Sequence, residues 1–204
     1  MDDIDTLARL FERFPGIGPR QARRFVYSLL RSDAGYRTDL ADRIAKISRG
    51  VSRCVTCGRF MTSQKGTECS LCADPARNRS QVMVLLKDAD IESFESAGVY
   101  QGTYLILGTL IPLTEDVLSA TLKTVLTRRL TGSQNVAEVI LALPVTTDGE
   151  HTASLVRNAL SEILPETVHV STLGRGLSTG SELEYADPQT LRNAFTLRKQ
   201  QAER

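Results

Sequence analysis

The sequence predicts an α/β protein of several modules: a helix-hairpin-helix, a four-cysteine metal finger, a parallel α/β domain and a C-terminal segment of strand and helix. Three observations lead to this prediction. Two helical patterns flank a Gly-x-Gly turn, all four cysteines lie in two Cys-x-x-Cys pairs, and apolar strand-length runs alternate with helical patterns after residue 80. The predicted modules span residues 1–52, 53–78, 79–171 and 172–204.

The composition is that of a globular protein whose beginning is locally basic. Of the 204 residues, 41% are hydrophobic and 24% charged, and no apolar run approaches the roughly 18 residues of a membrane span. Net charge is only +1, yet residues 1–50 carry ten Lys or Arg against seven acids. Trp is absent and aromatic residues make up 5%, which argues against a broad base-stacking platform. We expect a cytoplasmic protein without a membrane segment.

The first module contains two predicted helices joined by a glycine turn. The first helix is expected to have Asp5 or Thr6 as its cap and to end at Pro15. The apolar stripes of the two helices are Leu7, Leu10, Phe11 and Phe14, and Ala22, Phe25, Val26 and Leu29. Gly16-Ile17-Gly18-Pro19 stands between them, so the pattern is that of a helix-hairpin-helix.

The glycine turn is a candidate binding site for a DNA phosphate. Gly16 and Gly18 let the backbone approach a phosphate, and the amides and dipole of the second helix favour an anion there. Arg20 and Arg24 are four residues apart and share a face, with Arg23 beside them. Such contacts hold the DNA backbone without reading its sequence. The alternative is a helical hairpin in which the glycines only cap and turn.

A third helix is predicted from Thr38 or Asp39 to Ile47, with Gly50 closing it. Its buried side is expected to consist of Leu40, Ile44 and Ile47. So few large apolar side chains make a thin core for about fifty residues, and packing against another copy of the protein is therefore expected.

The two Cys-x-x-Cys pairs predict a metal site. The candidate ligands are Cys54, Cys57, Cys69 and Cys72. Four sulfurs suit a closed tetrahedral zinc site, and Arg53, Arg59 and Lys65 lie near them in sequence, where positive charge favours thiolates. The alternatives are two disulfides or a redox motif. Redox motifs come singly and the chain shows no secretory signal, so structural zinc is favoured.

Residues 80–204 alternate between strands and helices. The predicted strands are residues 81–86, 104–107, 139–143 and 168–171, and the predicted helices are residues 90–98, 114–130 and 149–164. In the second helix, the side chains expected to face inward are Val117, Leu118, Leu122, Val125 and Leu126. Apolar strands separated by helices predict a mostly parallel sheet covered on both faces. An edge strand at residues 183–185 and a helix at residues 187–199 complete the prediction.

The carboxyl ends of the strands are where function collects in such sheets. Asp148 and Glu150 follow the third strand and could hold Mg²⁺, or could instead cap the next helix. His151 and His169 are the only histidines, and neither belongs to a nucleophilic triad.

Together these parts resemble the RecR family of bacterial recombination mediators. The resemblance spans nearly the whole chain and is carried by Phe14-Pro15-Gly16-Ile17-Gly18-Pro19-Arg20, by the four-cysteine knuckle and by Gly180-Ser181-Glu182-Leu183-Glu184. It implies an α/β domain of the Toprim type, zinc on the four cysteines, and DNA contacts from Arg20 and Arg24. It further implies a non-enzymatic DNA-repair factor, associated with the nucleoid, that forms a ring-shaped homotetramer able to encircle DNA. Such a factor works with RecO and RecF to load RecA on gapped DNA, and contacts RecO near Asp148 and Glu150.

The chain also departs from the family pattern. Leu86 stands where the Toprim pattern has a glutamate after the first strand, and Asp148-Gly149-Glu150-His151-Thr152 replaces the usual Glu-Gly-Glu-Ala-Thr. The segment Ile111-Pro112-Leu113-Thr114 stands where Ser-Pro-Leu-Asp is usual. Without the first carboxylate, metal-dependent strand chemistry lacks its general acid or base, so catalysis is not expected.

Two rival functions stay open at the level of sequence. One is a metal-dependent Toprim nuclease or primase-like enzyme that uses Asp148, Glu150 and Asp88 with magnesium. The other is a protein-only adaptor whose hairpin serves dimerisation.

Overall fold

The structure is a computed structural model that describes residues 2–62, 66–132, 136–177, 180 and 182–198. Its helices and strands are, in chain order, α1 (Asp3–Glu12), α2 (Pro19–Arg31), α3 (Ala34–Gly50), β1 (Val51–Arg53), β2 (Phe60–Thr62), α4 (Ser70–Ala73), β3 (Asn78–Leu85), α5 (Asp88–Ala97), β4 (Gly102–Ile106), α6 (Ala120–Leu130), β5 (Glu138–Ala142), α7 (Thr147–Ile163), β6 (His169–Thr172) and α8 (Pro188–Thr196). No helix among these residues is long and apolar enough to cross a membrane.

Residue contacts divide the chain into two units. A helical unit comprises Met1–Ser52 with Thr62–Gln64, and an α/β unit comprises Arg53–Met61 with Lys65–Arg204. The predicted α/β architecture with a helical module is confirmed. The finer division into four modules stays a prediction.

The first two helices of the helical unit pack against each other. Ala8 of α1 and Ala22 and Val26 of α2 are fully buried, because small side chains let the two helices approach closely. The predicted cap of α1 was wrong. Asp2 accepts a hydrogen bond of 3.2 Å from the Ile4 amide, so the helix starts earlier and places its acidic residues in the first turn, where the dipole favours them.

The third helix is longer than predicted and more exposed. Asp33 caps it by accepting a 2.8 Å hydrogen bond from the Tyr36 amide. Ile44 and Ile47 are 64% and 65% exposed, so the expectation that they are buried was wrong. The core of the helical unit lies between α1 and α2 and contains no fully buried residue of α3. The apolar side of α3 instead lines an open groove. This groove of about 490 Å³ is lined by Leu7, Leu10, Phe11, Phe14, Val26, Leu29, Leu30, Arg37, Leu40, Ala41 and Ile44.

The α/β unit is organised around a four-stranded sheet of order β4-β3-β5-β6 in which every pair is parallel. Leu85 at the end of β3 is level with Ile106 of β4 and with Ala142 of β5. The predicted parallel sheet is therefore confirmed, and the loops after β3 and β5 lie at the same edge.

Both faces of the sheet are covered, as parallel strands require. One face packs its side chains against α6 and α7 in a core of Val82, Val84, Leu105, Leu107, Ile111, Leu118, Leu126, Leu130, Val139, Leu141, Ala153, Val156, Ala159 and Leu160. The other face packs Met83, Leu85, Tyr104 and Ile106 against Ile91 and Tyr100. The fully apolar strand runs of the sequence follow from this burial on two sides.

The α/β unit differs from the predictions at several points. The helix predicted from residue 114 starts at Ala120, because the Ser119 hydroxyl caps it through the Leu122 amide at 3.3 Å. Val117 lies before that helix and is 70% exposed instead of facing inward. The predicted edge strand at residues 183–185 is a single 3₁₀ turn, Leu183–Tyr185, in which the Ala186 amide bonds back to Leu183. The last helix, predicted over residues 187–199, ends at Thr196 with Leu197 as its C-cap, so its predicted end was wrong. Lys199 itself lies outside the described residues.

A charged network fixes α5 against the sheet and gives the fold a pH dependence. Arg77 is 9% exposed, donates from Nη1 to Glu95 Oε1 at 2.8 Å, and makes a second bond to Oε2. The Tyr104 hydroxyl donates to the same carboxylate at 2.6 Å. The hydrogen bond from Arg77 outweighs the effect of burial and holds the pKa of Glu95 below its ordinary value.

We predict that Glu95→Gln destabilises the protein by about 2 kcal/mol at pH 7, because it leaves the Arg77 guanidinium without its counter-charge. A depressed carboxylate pKa contributes stability above about pH 4.3 that is lost as pH falls through the folded-state value. The difference between wild type and variant should therefore shrink in acid. Urea unfolding at pH 7 and pH 3 measures it, with Glu92→Gln as the exposed control. A difference that grows in acid would contradict the assignment.

Candidate metal centre and nucleic-acid interface

The glycine turn between α1 and α2 has the backbone that a phosphate site needs. Gly16 has φ +76°, a conformation that favours glycine, and the Ile17 amide donates to the Phe14 carbonyl at 3.2 Å. Gly18 is the N-cap of α2 in an extended conformation and offers no side chain to its first amides. Apart from the adjoining residues, no atom of the described part of the chain lies within 4 Å of a Cβ built on either glycine. The outer surface of the turn is therefore open beside the start of α2.

The three candidate arginines are exposed on α2 but differ in their contacts. Arg24 donates to Gln21 Oε1 at 3.3 Å, within its own helix. Arg23 donates to Asp5 Oδ1 of α1 at 2.8 Å, so its charge is already partly compensated. Arg20 lies in the first turn of α2, next to the open glycine turn. The geometry favours Arg20 and Arg24 over Arg23 for an incoming anion.

The four cysteines come together in one buried cluster. Their sulfur atoms all lie within 4.8 Å of one another, and Cys57 Sγ is 3.6 Å from Cys69 Sγ. Four sulfurs at about 2.3 Å from a tetrahedral metal ion would be about 3.8 Å apart, so the cluster has the right size. All four are free thiols, and the disulfide alternative is therefore wrong. The four cysteines could hold a metal ion.

Local backbone geometry explains how each pair aims two sulfurs inward. The first pair closes a turn in which the Gly58 amide donates to the Cys54 carbonyl at 2.9 Å, with Gly58 at φ +81°. In the second pair, Cys69 is the N-cap of the short helix α4, which brings Cys72 round to the same side. The Cys69 amide also donates to Cys54 Sγ at 3.3 Å and stabilises a thiolate there.

The thiols compete for protons because four negative charges cannot share this space alone. The hydrogen bond with Cys69, together with burial, raises the pKa of Cys57 to about 12. The pKa of Cys72 is raised by its hydrogen bonds with Cys57 and Cys69, whereas the pKa of Cys69 is lowered because it accepts bonds from Cys57 and Cys72. A cation at the centre removes this conflict, since every thiolate is then stabilised.

The basic residues near the cysteines in sequence have other contacts in the structure. Arg53 donates to the Gly58 carbonyl at 3.2 Å and stacks on the Phe60 ring at 4.2 Å. Arg59 is 3.9 Å from Glu92, and Lys65 lies outside the described residues. The expectation that these positive charges favour the thiolates stays a prediction.

Contacts from distant parts of the chain attach the four-cysteine knuckle to the rest of the α/β unit. The Ile106 amide at the end of β4 donates to the Cys57 carbonyl at 2.8 Å, and the Phe60 amide donates to Asp88 Oδ1 at 2.8 Å. Arg129 of α6 donates to the Thr56 carbonyl. Burial lowers the pKa of Arg129, and the charge of Cys57 opposes that effect. Sequence reasoning missed Arg129, which lies 73 residues from Thr56, because no local pattern marks it.

The carboxyl edge of the sheet carries the other candidate residues. Leu86 directly follows β3, and its carbonyl accepts from the Gly108 amide at 2.9 Å. Asp148 and Glu150 lie in the first turn of α7, but the cap is Thr146, whose hydroxyl accepts from the Gly149 amide at 3.1 Å. Glu150 forms an ion pair with Arg175. Among the described residues, only the four cysteines form a cluster of three or more metal-ligating side chains.

The turn before α7 depends on two residues of the motif at residues 148–152 whose structural roles were not predicted. A Cβ on Gly149 would overlap the Pro144 carbonyl group, so the close approach of the backbone requires glycine. The buried Thr152 hydroxyl accepts from the Ile111 amide at 2.9 Å and donates to the Asp148 carbonyl at 2.7 Å. His151 lies nearby, with Nε2 at 2.8 Å from the Glu115 carbonyl oxygen, and serves structure.

These parts define a class of protein in which a helix-hairpin-helix module is joined to a four-cysteine finger and a parallel α/β domain. Family descriptions match in the same order: "RecR, helix-hairpin-helix" over residues 4–47, "Toprim domain" over residues 80–173 and "RecR, C-terminal" over residues 176–199.

Curated relatives match along nearly the whole chain. A protein named Recombination protein RecR from Chloroflexus aurantiacus is 37% identical over 198 residues, covering 95% of this chain and 94% of its own length. Proteins of the same name from Jannaschia sp. and Rhodospirillum rubrum are 33% and 34% identical over 197 residues, each covering 97% of this chain and at least 96% of their own. The chain belongs to the RecR family of recombination proteins.

Proposed function

We propose that the protein is a DNA-binding recombination mediator of the RecR kind, active in recombinational DNA repair in the cytoplasm. In this role it forms a ring or clamp on gapped DNA and works with RecO-like and RecF-like proteins to load RecA. Membership of the RecR family supports the recombination role. The open glycine turn at the start of α2 is the single observation that carries the DNA-binding part.

The turn is suited to phosphate because three sources of positive potential meet there. The uncapped amides at the start of α2, the helix dipole and the side chains of Arg20 and Arg24 all favour an anion. Gly16 and Gly18 add no side chains that would block a sugar-phosphate backbone. Contacts of this kind hold DNA of any sequence, and their affinity falls steeply with salt.

We predict that Arg20→Ala/Arg24→Ala weakens binding to gapped and duplex DNA by at least about tenfold. The dependence of log K on log salt should also become shallower, by about 0.9 for each lost phosphate contact. Fluorescence anisotropy over a salt series measures both quantities. Arg43→Ala/Lys46→Ala is the matched control, because it removes the same charge from residues already paired with Asp39 and Asp42 on α3.

Equal losses in the two double variants would mean that net charge alone binds DNA, and would contradict the assignment to the glycine turn. The same gapped DNA should stay intact with Mg²⁺ or Mn²⁺ throughout. Cleavage that Glu150→Gln abolishes would instead establish the nuclease alternative.

We infer that the α/β domain does not carry out strand chemistry. Leu86 supplies no carboxylate after β3, the Asp88 carboxylate accepts from the Phe60 amide, and Glu150 is paired with Arg175. A role in partner binding suits Asp148 and Glu150 better than a role in strand chemistry, because this turn is exposed and Asp148 does not take part in the ion pair with Arg175. Loss of RecO binding in Asp148→Ala would support that contact.

The metal is inferred to be structural zinc. Four sulfur donors select zinc over oxygen-preferring cations, and a closed tetrahedral set leaves no position for a reacting water. The knuckle buries little besides its cysteines, with Met61 and Leu71 packed beside them, so metal binding supplies its folding free energy.

We predict one zinc per chain in the purified protein, and less than one in Cys57→Ser, which should also unfold at a lower temperature. Atomic absorption and thermal unfolding measure the two effects. Val55→Ser is the control, because Val55 lies in the same turn and is 53% exposed. A wild-type protein that lacks zinc when purified without chelators would contradict the proposal.

Self-association, as a homotetramer by family resemblance, would cover the open groove of the helical unit. Leu10, Phe14 and Leu30 are more than half exposed along it, and an apolar surface of this extent marks an interaction site. Another copy of the same chain is the partner that the thin helical core favours.

We predict that Ile44→Asp shifts the mass in solution from tetramer towards a smaller species, because a carboxylate in the groove cannot be buried unpaired. Light scattering after size exclusion measures the mass. Val99→Asp is the control, since Val99 is 74% exposed in the α/β unit. Unchanged mass in both variants would show that the groove takes no part in assembly.

A further inference from the structure

Arg129 is placed to act on the metal site from outside the knuckle. It lies with Arg128 in the last turn of α6, and both side chains line a cleft beside Val55 and Thr56. Among the described residues, Arg129 is the one of the two that bonds to the knuckle, because its Nη1 donates to the Thr56 carbonyl. Thr56 directly precedes the ligand Cys57. The two terminal nitrogens of Arg129 also lie 3.4 and 3.5 Å from where a Cβ on Gly58 would be. The guanidinium therefore lies close against the first Cys-x-x-Cys turn.

The hydrogen bonds of Arg129 do not account for its burial. Its Nε is buried and has no hydrogen-bond partner among the residues that the structure describes. A buried cationic nitrogen without a partner is costly, and natural proteins seldom keep one unless another interaction offsets it. Two sources of negative charge lie nearby. One is the sulfur cluster, whose charges at Cys57, Cys54 and Cys72 favour the charged guanidinium, whereas Arg128 opposes it. The other is Glu68, which lines the same cleft and accepts from the Thr56 hydroxyl.

A four-thiolate metal site needs such a counter-charge. Four thiolates carry more negative charge than one divalent ion neutralises, and the excess is buried with them. Arg53 and Arg79 also donate to knuckle carbonyls, those of Gly58 and Cys72, each at 3.2 Å. Both belong to segments that adjoin the knuckle in sequence and both are exposed, whereas Arg129 comes from α6 and is partly buried.

We propose that Arg129 is a positioning residue of the metal site, whose charge neutralises the buried thiolates and whose hydrogen bond fixes the Cys54-Val55-Thr56-Cys57 turn, so that metal retention depends on α6. This inference rests on the proposed zinc site and is independent of DNA binding. Replacing a residue that orients or neutralises metal ligands without binding the metal typically lowers metal affinity about 10- to 100-fold. The coupling is reciprocal, so bound metal stabilises the docking of α6 in return.

Competition with a chromophoric zinc chelator tests the proposal on the full-length zinc-loaded protein. Arg129→Met keeps most of the side-chain length but removes the charge, and we expect it to hold zinc about 10- to 100-fold more weakly than wild type. Arg128→Met is the matched control, because it is adjacent, exposed and of the same chemistry. The Co²⁺-substituted variant should still show sulfur-to-metal charge-transfer absorption, since all four sulfurs remain.

Arg129→Lys separates charge from geometry. A lysine keeps the positive charge, but its single ammonium cannot bond to the Thr56 carbonyl and also lie beside the sulfurs. The zinc affinity of Arg129→Lys should therefore fall between those of Arg129→Met and wild type. Should Arg129→Met fail to fold, the comparison of Arg129→Lys with Arg128→Lys decides. Equal zinc affinity in the Arg129 and Arg128 variants would overturn the proposal. Absence of zinc from wild type would reject the site itself, before Arg129 is tested.

Discussion

Four buried sulfurs within 4.8 Å of one another cannot all be ionised unless a cation lies among them. The knuckle between β1 and β3 depends on that constraint more than on hydrophobic burial, since its fully buried side chains are the cysteines themselves. Without a metal, the thiols would share protons, as the opposed pKa shifts of Cys57 and Cys69 indicate. The local fold would then rely on the few hydrogen bonds between its two turns, such as that from the Cys69 amide to Cys54 Sγ.

The four-cysteine knuckle is part of the α/β unit and does not form a separate domain. At the end of β4, the Ile106 amide donates a hydrogen bond to the Cys57 carbonyl. At the start of α5, the Asp88 carboxylate accepts one from the Phe60 amide. In α6, Arg129 donates one to the Thr56 carbonyl. Three successive elements of the domain therefore each contribute one contact. A residue that would look catalytic in a sequence of the Toprim type, Asp88, is here committed to structure.

Patterns that act locally could be predicted from the sequence, and contacts between distant residues could not. The apolar runs of β3 and β5 predict a parallel sheet because both of its faces are buried, and two Cys-x-x-Cys turns predict their own convergence. Periodicity placed Ile44 and Ile47 on a buried face, which failed because an apolar stripe does not reveal whether a partner lies in the same chain. Leu183–Tyr185 was misassigned because three residues are too few to separate a strand from a 3₁₀ turn. Arg129 carries no local signal at all.

Two properties of the helical unit, its thin core and its few candidate phosphate contacts, would both favour self-association. Its core is thin and leaves an apolar groove of about 490 Å³ open along α3. The phosphate site proposed at its glycine turn would supply only a few contacts. A single subunit would therefore bind DNA weakly and expose apolar surface. The proposed association of several copies would cover the groove and multiply the phosphate contacts, since linked sites raise avidity without any new contact chemistry. A scaffold that must hold DNA of any sequence gains from this arrangement, because each weak contact can release and rebind while the assembly stays on the strand.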